Sequence, residues 1–146
     1  MKKNLRYFMT LLLMMVVSVQ LWGAEKTYTE GFEKATAGTN YQGTVSVTAA
    51  DSDCGIAWEI YYGCVSTNVK LTGTKSAQMR LYQNKPDNYG YIRNTTAVNN
   101  LTKVTFNAMT DNGNSATILM DISYSADGTS WNAISSGVEV ATAKTE

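Results

Sequence analysis

The chemistry open to this chain rests on carboxylates, aromatic rings and two thiols, because the sequence contains no histidine. Without an imidazole there is no Ser-His or Cys-His pair to activate a nucleophile. A two-carboxylate hydrolase is the remaining formal option, and Asp51/Asp53 and Asp121/Asp127 are the pairs closest in sequence. Asp51 and Asp53 sit in a Ser/Gly turn, DSDCG, where Asp is favoured for bonds to its own backbone. Asp127 precedes Gly128 in a hairpin turn, and Asp121 falls on the polar face of a strand. No nucleophile and base can be assembled from these groups, so the chain reads as non-enzymatic with no catalytic residues.

Aromatic residues point to binding instead. Sugars present C–H faces that pack on Trp and Tyr, while their hydroxyls pair with Asn, Asp, Arg and Gln around the ring. Tyr61 and Tyr82 lie on the polar faces of their expected strands, and Tyr89 follows a Lys85-Pro-Asp-Asn88 loop whose Asp87 and Asn88 can bond a hydroxyl. The candidate ligand set is therefore Tyr61, Tyr82, Asp87, Asn88 and Tyr89. Trp58 and Trp131 are expected as plugs between sheets, the usual place of Trp in a sandwich.

Cys54 and Cys64 have nine residues between them. In an exported chain they are expected to form a disulfide around Ile56–Tyr62, the alternative being two free buried thiols. With no histidine and no third cysteine, no metal-binding residues are assigned.

Export is itself read from the first residues. Lys2, Lys3 and Arg6 precede an apolar run to about Trp22, and small residues Gly23 and Ala24 lead into a polar chain. This is the layout of a secretory signal peptide over residues 1–24, and the run is too short and too polar for a membrane span. Removing it leaves residues 25–146 as one domain, in the secreted, periplasmic or cell-surface space, with no membrane span. Three of the twelve basic residues leave and all twelve acidic ones stay, so the net charge falls from 0 to −3. Nucleic acid, which needs a basic surface, is excluded as a partner.

The elements that must position these groups read as β-strands. Ala116–Trp131 alternates Ile118, Met120, Ile122 and Tyr124 against Leu119, Asp121, Ser123 and Ser125. It then turns at Asp127-Gly128 and returns with Trp131 covering the apolar face. Further strands are expected over Lys26–Phe32, Tyr41–Ala49, Ile56–Tyr62, Ser76–Tyr82, Tyr89–Asn94, Leu101–Met109 and from Val138. In Ile56–Tyr62, Trp58, Ile60 and Tyr62 face one way and Glu59 and Tyr61 the other. No stretch carries the helical period. Short strands between turn clusters indicate an all-β, antiparallel two-sheet sandwich. The sequence stops just after its last strand begins, so the sandwich is expected to be truncated, with further segments or domains beyond residue 146.

Taken in order, Gly73–Tyr82 (GTKSAQMRLY), Tyr89–Arg93 (YGYIR), Leu101–Phe106 (LTKVTF) and Ser123–Trp131 (SYSADGTSW), preceded by Gly31-Phe32-Glu33, form a familiar series. It resembles the jelly-roll, galactose-binding-like or carbohydrate-binding-module-like domains of secreted proteins from Bacteroidetes-type bacteria, over roughly Glu30 to Trp131. The resemblance implies a non-catalytic recognition module for a glycan or cell-surface polymer. It also implies a calcium-binding end at Glu30 and Glu33, so no cofactor is expected beyond a structural calcium. The closing Asp-Asp-Ile-like segment of such domains is absent here, and Asp111-Asn112-Gly113-Asn114 lacks the later Glu of a calcium loop. The competing roles are a structural or adhesion domain contacting protein, which predicts a flat apolar patch, and an accessory domain of a larger secreted hydrolase.

Overall fold

The computed structural model describes residues 26–39, 41, 43–68, 70–80, 89–110 and 118–140. Among them the chain is all-β, and every strand pairing is antiparallel. Seven strands run β1 (Thr44–Val47), β2 (Trp58–Tyr61), β3 (Gly63–Ser66), β4 (Ser76–Met79), β5 (Tyr91–Asn94), β6 (Ile118–Tyr124) and β7 (Asn132–Val140). They make three small sheets, ordered β1-β2-β5, β3-β4 and β6-β7. The signal segment, together with Tyr82, Asp87, Asn88 and the Asp111–Asn114 loop, lies outside the described residues.

β-branched and aromatic residues build the first sheet because they fit a pleated, half-buried surface. Val45 and Val47 of β1, Trp58 and Ile60 of β2, and Ile92 of β5 share its inner face, with Ile60 fully buried. Val65 of β3 and Ala77 of β4 join them, so the two sheets share one core with Phe32 and Ala35. Phe32 meets Trp58 edge-on at 6.0 Å between ring centres.

β2 and β3 are one run of chain that changes sheet at Tyr62. This residue has φ of +45°. Its N–H still donates to Gly43 O at 2.9 Å, extending the β1–β2 ladder, while its carbonyl accepts Arg80 N–H at 2.8 Å beside β4. The next residue must be glycine. A Cβ at Gly63 would collide with the Gln78 carbonyl and come within 2.8 Å of Ile60 Cγ2. Alternation had placed Tyr62 on the face of Trp58 and Ile60; instead the kink ends β2, and Tyr62 packs edge-on against Tyr61 at 4.6 Å.

Two expected strands take other forms. Lys26–Phe32 is not a strand, because its last N–H groups bond carboxylates and not a neighbouring strand. Leu101–Met109 has alternation but no ladder, only an isolated bridge at Ala108. β3 was not expected: Gly-Cys-Val-Ser is buried throughout, and a strand buried on both sides shows no alternation.

The β6–β7 hairpin turns through Asp127 and Gly128, whose φ is +76°. The Asp127 carboxylate accepts from the backbones of Thr129 and Ser130 and from the hydroxyls of Ser125 and Ser130. β7 has nine residues against seven in β6, and two bulges absorb the difference. Gly137, at φ +67°, sits in one, its N–H donating to Asp121 at 2.8 Å; Ile134 is the extra residue of the other and is 62% exposed. Trp131 does not cover the apolar face. It lies just before β7, outside the ladder, and is 47% exposed.

Candidate functional site

Antiparallel register sets the outer face of the β1-β2-β5 sheet. Thr44, Tyr61 and Tyr91 lie opposite one another in one row, and Ser46, Glu59 and Arg93 in the next. All six point away from the core because their neighbours Val45, Ile60 and Ile92 point into it. Tyr61 and Tyr91 stack at 5.0 Å between ring centres, inclined by 24°. With Tyr62 they form a continuous aromatic cluster, within the spacing at which ring pairs attract.

A polar rim adjoins the rings. Tyr91 Oη donates to Glu59 Oε1 at 2.8 Å, and Arg93 Nη2 donates to the same oxygen at 2.8 Å. The Arg93 guanidinium also lies 5.3 Å from the centre of the Tyr91 ring. Glu59 Oε2 takes no hydrogen bond from the described residues. Both phenols are pushed above their usual 10.0, Tyr61 by desolvation and then by the charge and hydrogen bond of Tyr62, Tyr91 by desolvation and then by Glu59. They are therefore neutral hydroxyls at physiological pH. The face offers apolar ring surface, a carboxylate acceptor and guanidinium donors within one short strip of two strands.

Of the five residues expected from the sequence, the structure brings Tyr61 into this cluster. Tyr89 is 60% exposed and stands two residues before Tyr91 along the chain. Tyr82, Asp87 and Asn88 fall outside the described residues. Sequence reasoning passed over Glu59, Tyr91 and Arg93 as members of the site. The alternation Tyr91-x-Arg93 is visible in the sequence, but the register that sets it beside Glu59 and Tyr61 spans thirty residues or more.

The acidic groups near the chain start do different work. Asp53 accepts backbone N–H from Gly31 (3.1 Å), Glu33 (2.9 Å) and Lys34 (3.2 Å), and Glu30 accepts that of Phe32 at 2.7 Å. Four consecutive N–H groups thus end on two carboxylates. Phe32, at φ +61°, helps aim them, as in a backbone nest around an anion. Glu30 also accepts from the Ser52 hydroxyl, the Asp53 N–H and the Cys54 thiol. Glu33 accepts from the hydroxyl and N–H of Thr74 and the N–H of Lys75, whose Nζ returns to the carbonyls of Glu33 and Ala35. Asp53 therefore bonds across twenty residues of chain and not to its own turn, whereas Asp51 does bond locally, to Thr48. Among the described residues no group of three acidic or cysteine side chains is placed to hold a metal ion.

The expected disulfide does not form. Both cysteines are free. The Cys54 thiol is engaged by Glu30 and Ser52, while Cys64 is fully buried in β3 opposite Gln78. The segment expected to be a small closed loop is largely the extended strand β2.

No protein-family model, curated protein or solved structure matches the chain. Among the described residues no helix is long and apolar enough to cross a membrane.

Proposed function

We propose that this chain is an exported, non-catalytic recognition module that binds a glycan or cell-surface polymer on the outer face of β1-β2-β5. The carrying observation is the Tyr61–Tyr91 stack beside Glu59 and Arg93. Ring surface removes sugar C–H groups from water, and the polar rim satisfies the hydroxyls that flank them. The same reading takes the fold as a jelly-roll sandwich, of which the two sheets sharing the Phe32–Ile60–Val65 core are the centre. Residues 1–24 act as the signal peptide, and secreted or cell-surface placement follows from it.

The test is a glycan array probed with the protein from residue 25 onward, with and without calcium. Selective binding is expected, and Tyr91→Ala should weaken it at least tenfold, equivalent to about 1.4 kcal/mol. The unfolding midpoint serves as the check that the variant is folded. A folded protein that binds no glycan overturns the proposal.

A second reading is favoured by one specific observation. Val104, Phe106, Ala108, Met120, Ile122 and Val138 line an apolar groove of about 240 Å³ beside the hairpin. Leu119, Trp131 and Ile134, elsewhere on the hairpin, are also exposed. A protein-contacting adhesion domain would use such a surface, and capture of a protein partner without any glycan would select it.

A further inference from the structure

The charges on the outer face decide which glycans it suits. Among the described residues its two rows carry one cation and one anion, and they are bonded to each other: Arg93 Nη2 to Glu59 Oε1 at 2.8 Å. The remaining outer-face groups in the two rows, Thr44, Ser46, Tyr61 and Tyr91, are neutral, the two phenols staying protonated. A uronate or sulfate brought to Arg93 would therefore also meet the Glu59 carboxylate bonded to it, and repulsion would offset attraction. A neutral sugar meets no such penalty. Its hydroxyls are at once donors and acceptors, matching a carboxylate oxygen and a guanidinium held side by side.

We propose that the site takes a neutral glycan, binding adjacent hydroxyls between Glu59 and Arg93 with the sugar carbons against Tyr91. This rests on the glycan-binding reading above and adds the ligand class. Three features support it. Both bonds to Glu59 fall on Oε1, which leaves Oε2 to accept from a sugar hydroxyl. The ion pair is made through Nη2 and Arg93 Nε is buried, which leaves Nη1 as the guanidinium nitrogen with no partner among the described residues and no place among the buried atoms. Tyr91, 39% exposed, carries the Arg93 guanidinium over its ring, 5.3 Å from the ring centre, so the exposed part of the ring adjoins that pair. The expected charge of the chain without its leader, −3, acts in the same sense by repelling polyanions.

The experiment is affinity electrophoresis of the protein from residue 25 onward through gels containing neutral polysaccharides (a β-glucan, a galactomannan, a xylan) or acidic ones (polygalacturonate, alginate, chondroitin sulfate). Glu59→Gln and Arg93→Gln run alongside, their folding checked by thermal unfolding. The wild type should be retarded by at least one neutral polymer and by no acidic one. Glu59→Gln frees the cation. It should weaken neutral binding at least tenfold and gain retardation by an acidic polymer. Arg93→Gln should lose neutral binding without that gain. Retardation of the wild type by acidic polymers, or an unchanged preference in Glu59→Gln, overturns the ligand class while leaving glycan binding intact. Retardation by no polymer overturns both.

Discussion

At the scale of single residues, Asp53 does more for the fold than its place in a turn suggests. Three N–H groups from another part of the chain converge on it, and a neutral isostere accepts them less well. Asp53→Asn should cost on the order of 2 kcal/mol, read as a lower denaturant midpoint at pH 7. An unchanged midpoint would show that the 31–34 segment is held by other means. The pH dependence has a definite sign. Burial pushes the Asp53 carboxyl up, but the N–H groups of Glu33, Gly31 and Lys34 outweigh it and hold the folded value below the ordinary 3.8. Asp127 is held well below the carboxylate range by Ser130 and Thr129, and Glu33 is lowered by Thr74 and Lys75. Stability from such groups is complete above the unfolded value and disappears as pH falls through the folded one. Thermal unfolding followed from pH 6 to pH 2 should thus decline mainly below about pH 4, with a shallower decline in Asp53→Asn.

At the scale of elements, the Tyr62–Gly63 kink lets one run of chain serve two sheets. Gly63→Ala should destabilise by roughly 1–3 kcal/mol, because the added methyl meets backbone at Gln78 and the buried Ile60, neither of which can move cheaply. Equal thermal midpoints for the variant and the parent would mean that the strands part there without strain. This element also shows what a sequence does and does not disclose. β1, β2 and β5 were legible from their β-branched and aromatic residues, β4 from Ala77 and Met79 alternating with Gln78 and Arg80, and the Asp127-Gly128 turn because its chemistry is local. β3 was hidden by its complete burial. Leu101–Met109 misled because alternation reports a face and not a partner. The candidate site was half legible: Tyr61 stood out on a polar face, but Glu59, Tyr91 and Arg93 gain meaning only through β2–β5 pairing. The carboxylates of Glu30, Glu33 and Asp53 likewise declare their acidity in sequence, while their partners lie twenty to forty residues away.

Across the whole molecule, stability is unevenly spread. β1 to β5 share a core around fully buried Ile60 and Val65. β6 and β7 form a two-stranded ribbon whose apolar face lines a groove together with Val104, Phe106 and Ala108. Such ribbons are marginal without further support. Hydrogen exchange should therefore label the β6–β7 amides well before those of β2, and protection of the hairpin equal to that of β2 would contradict this division. The two bulges in β7 carry a separate consequence for how its length can drift. Each adds one residue without a partner in β6: Ser135 lies opposite Ile122 and Ala133 opposite Ser123, with Ile134 between them. The ladder beyond each bulge therefore keeps its partners and its faces, so Asn132 lies opposite Tyr124 just as Val140 lies opposite Ile118. Descent with deletion in β7 can thus proceed one residue at a time at the bulges, where the flanking pairs keep their sides, whereas a deletion within a paired stretch shifts the register and turns the sides over.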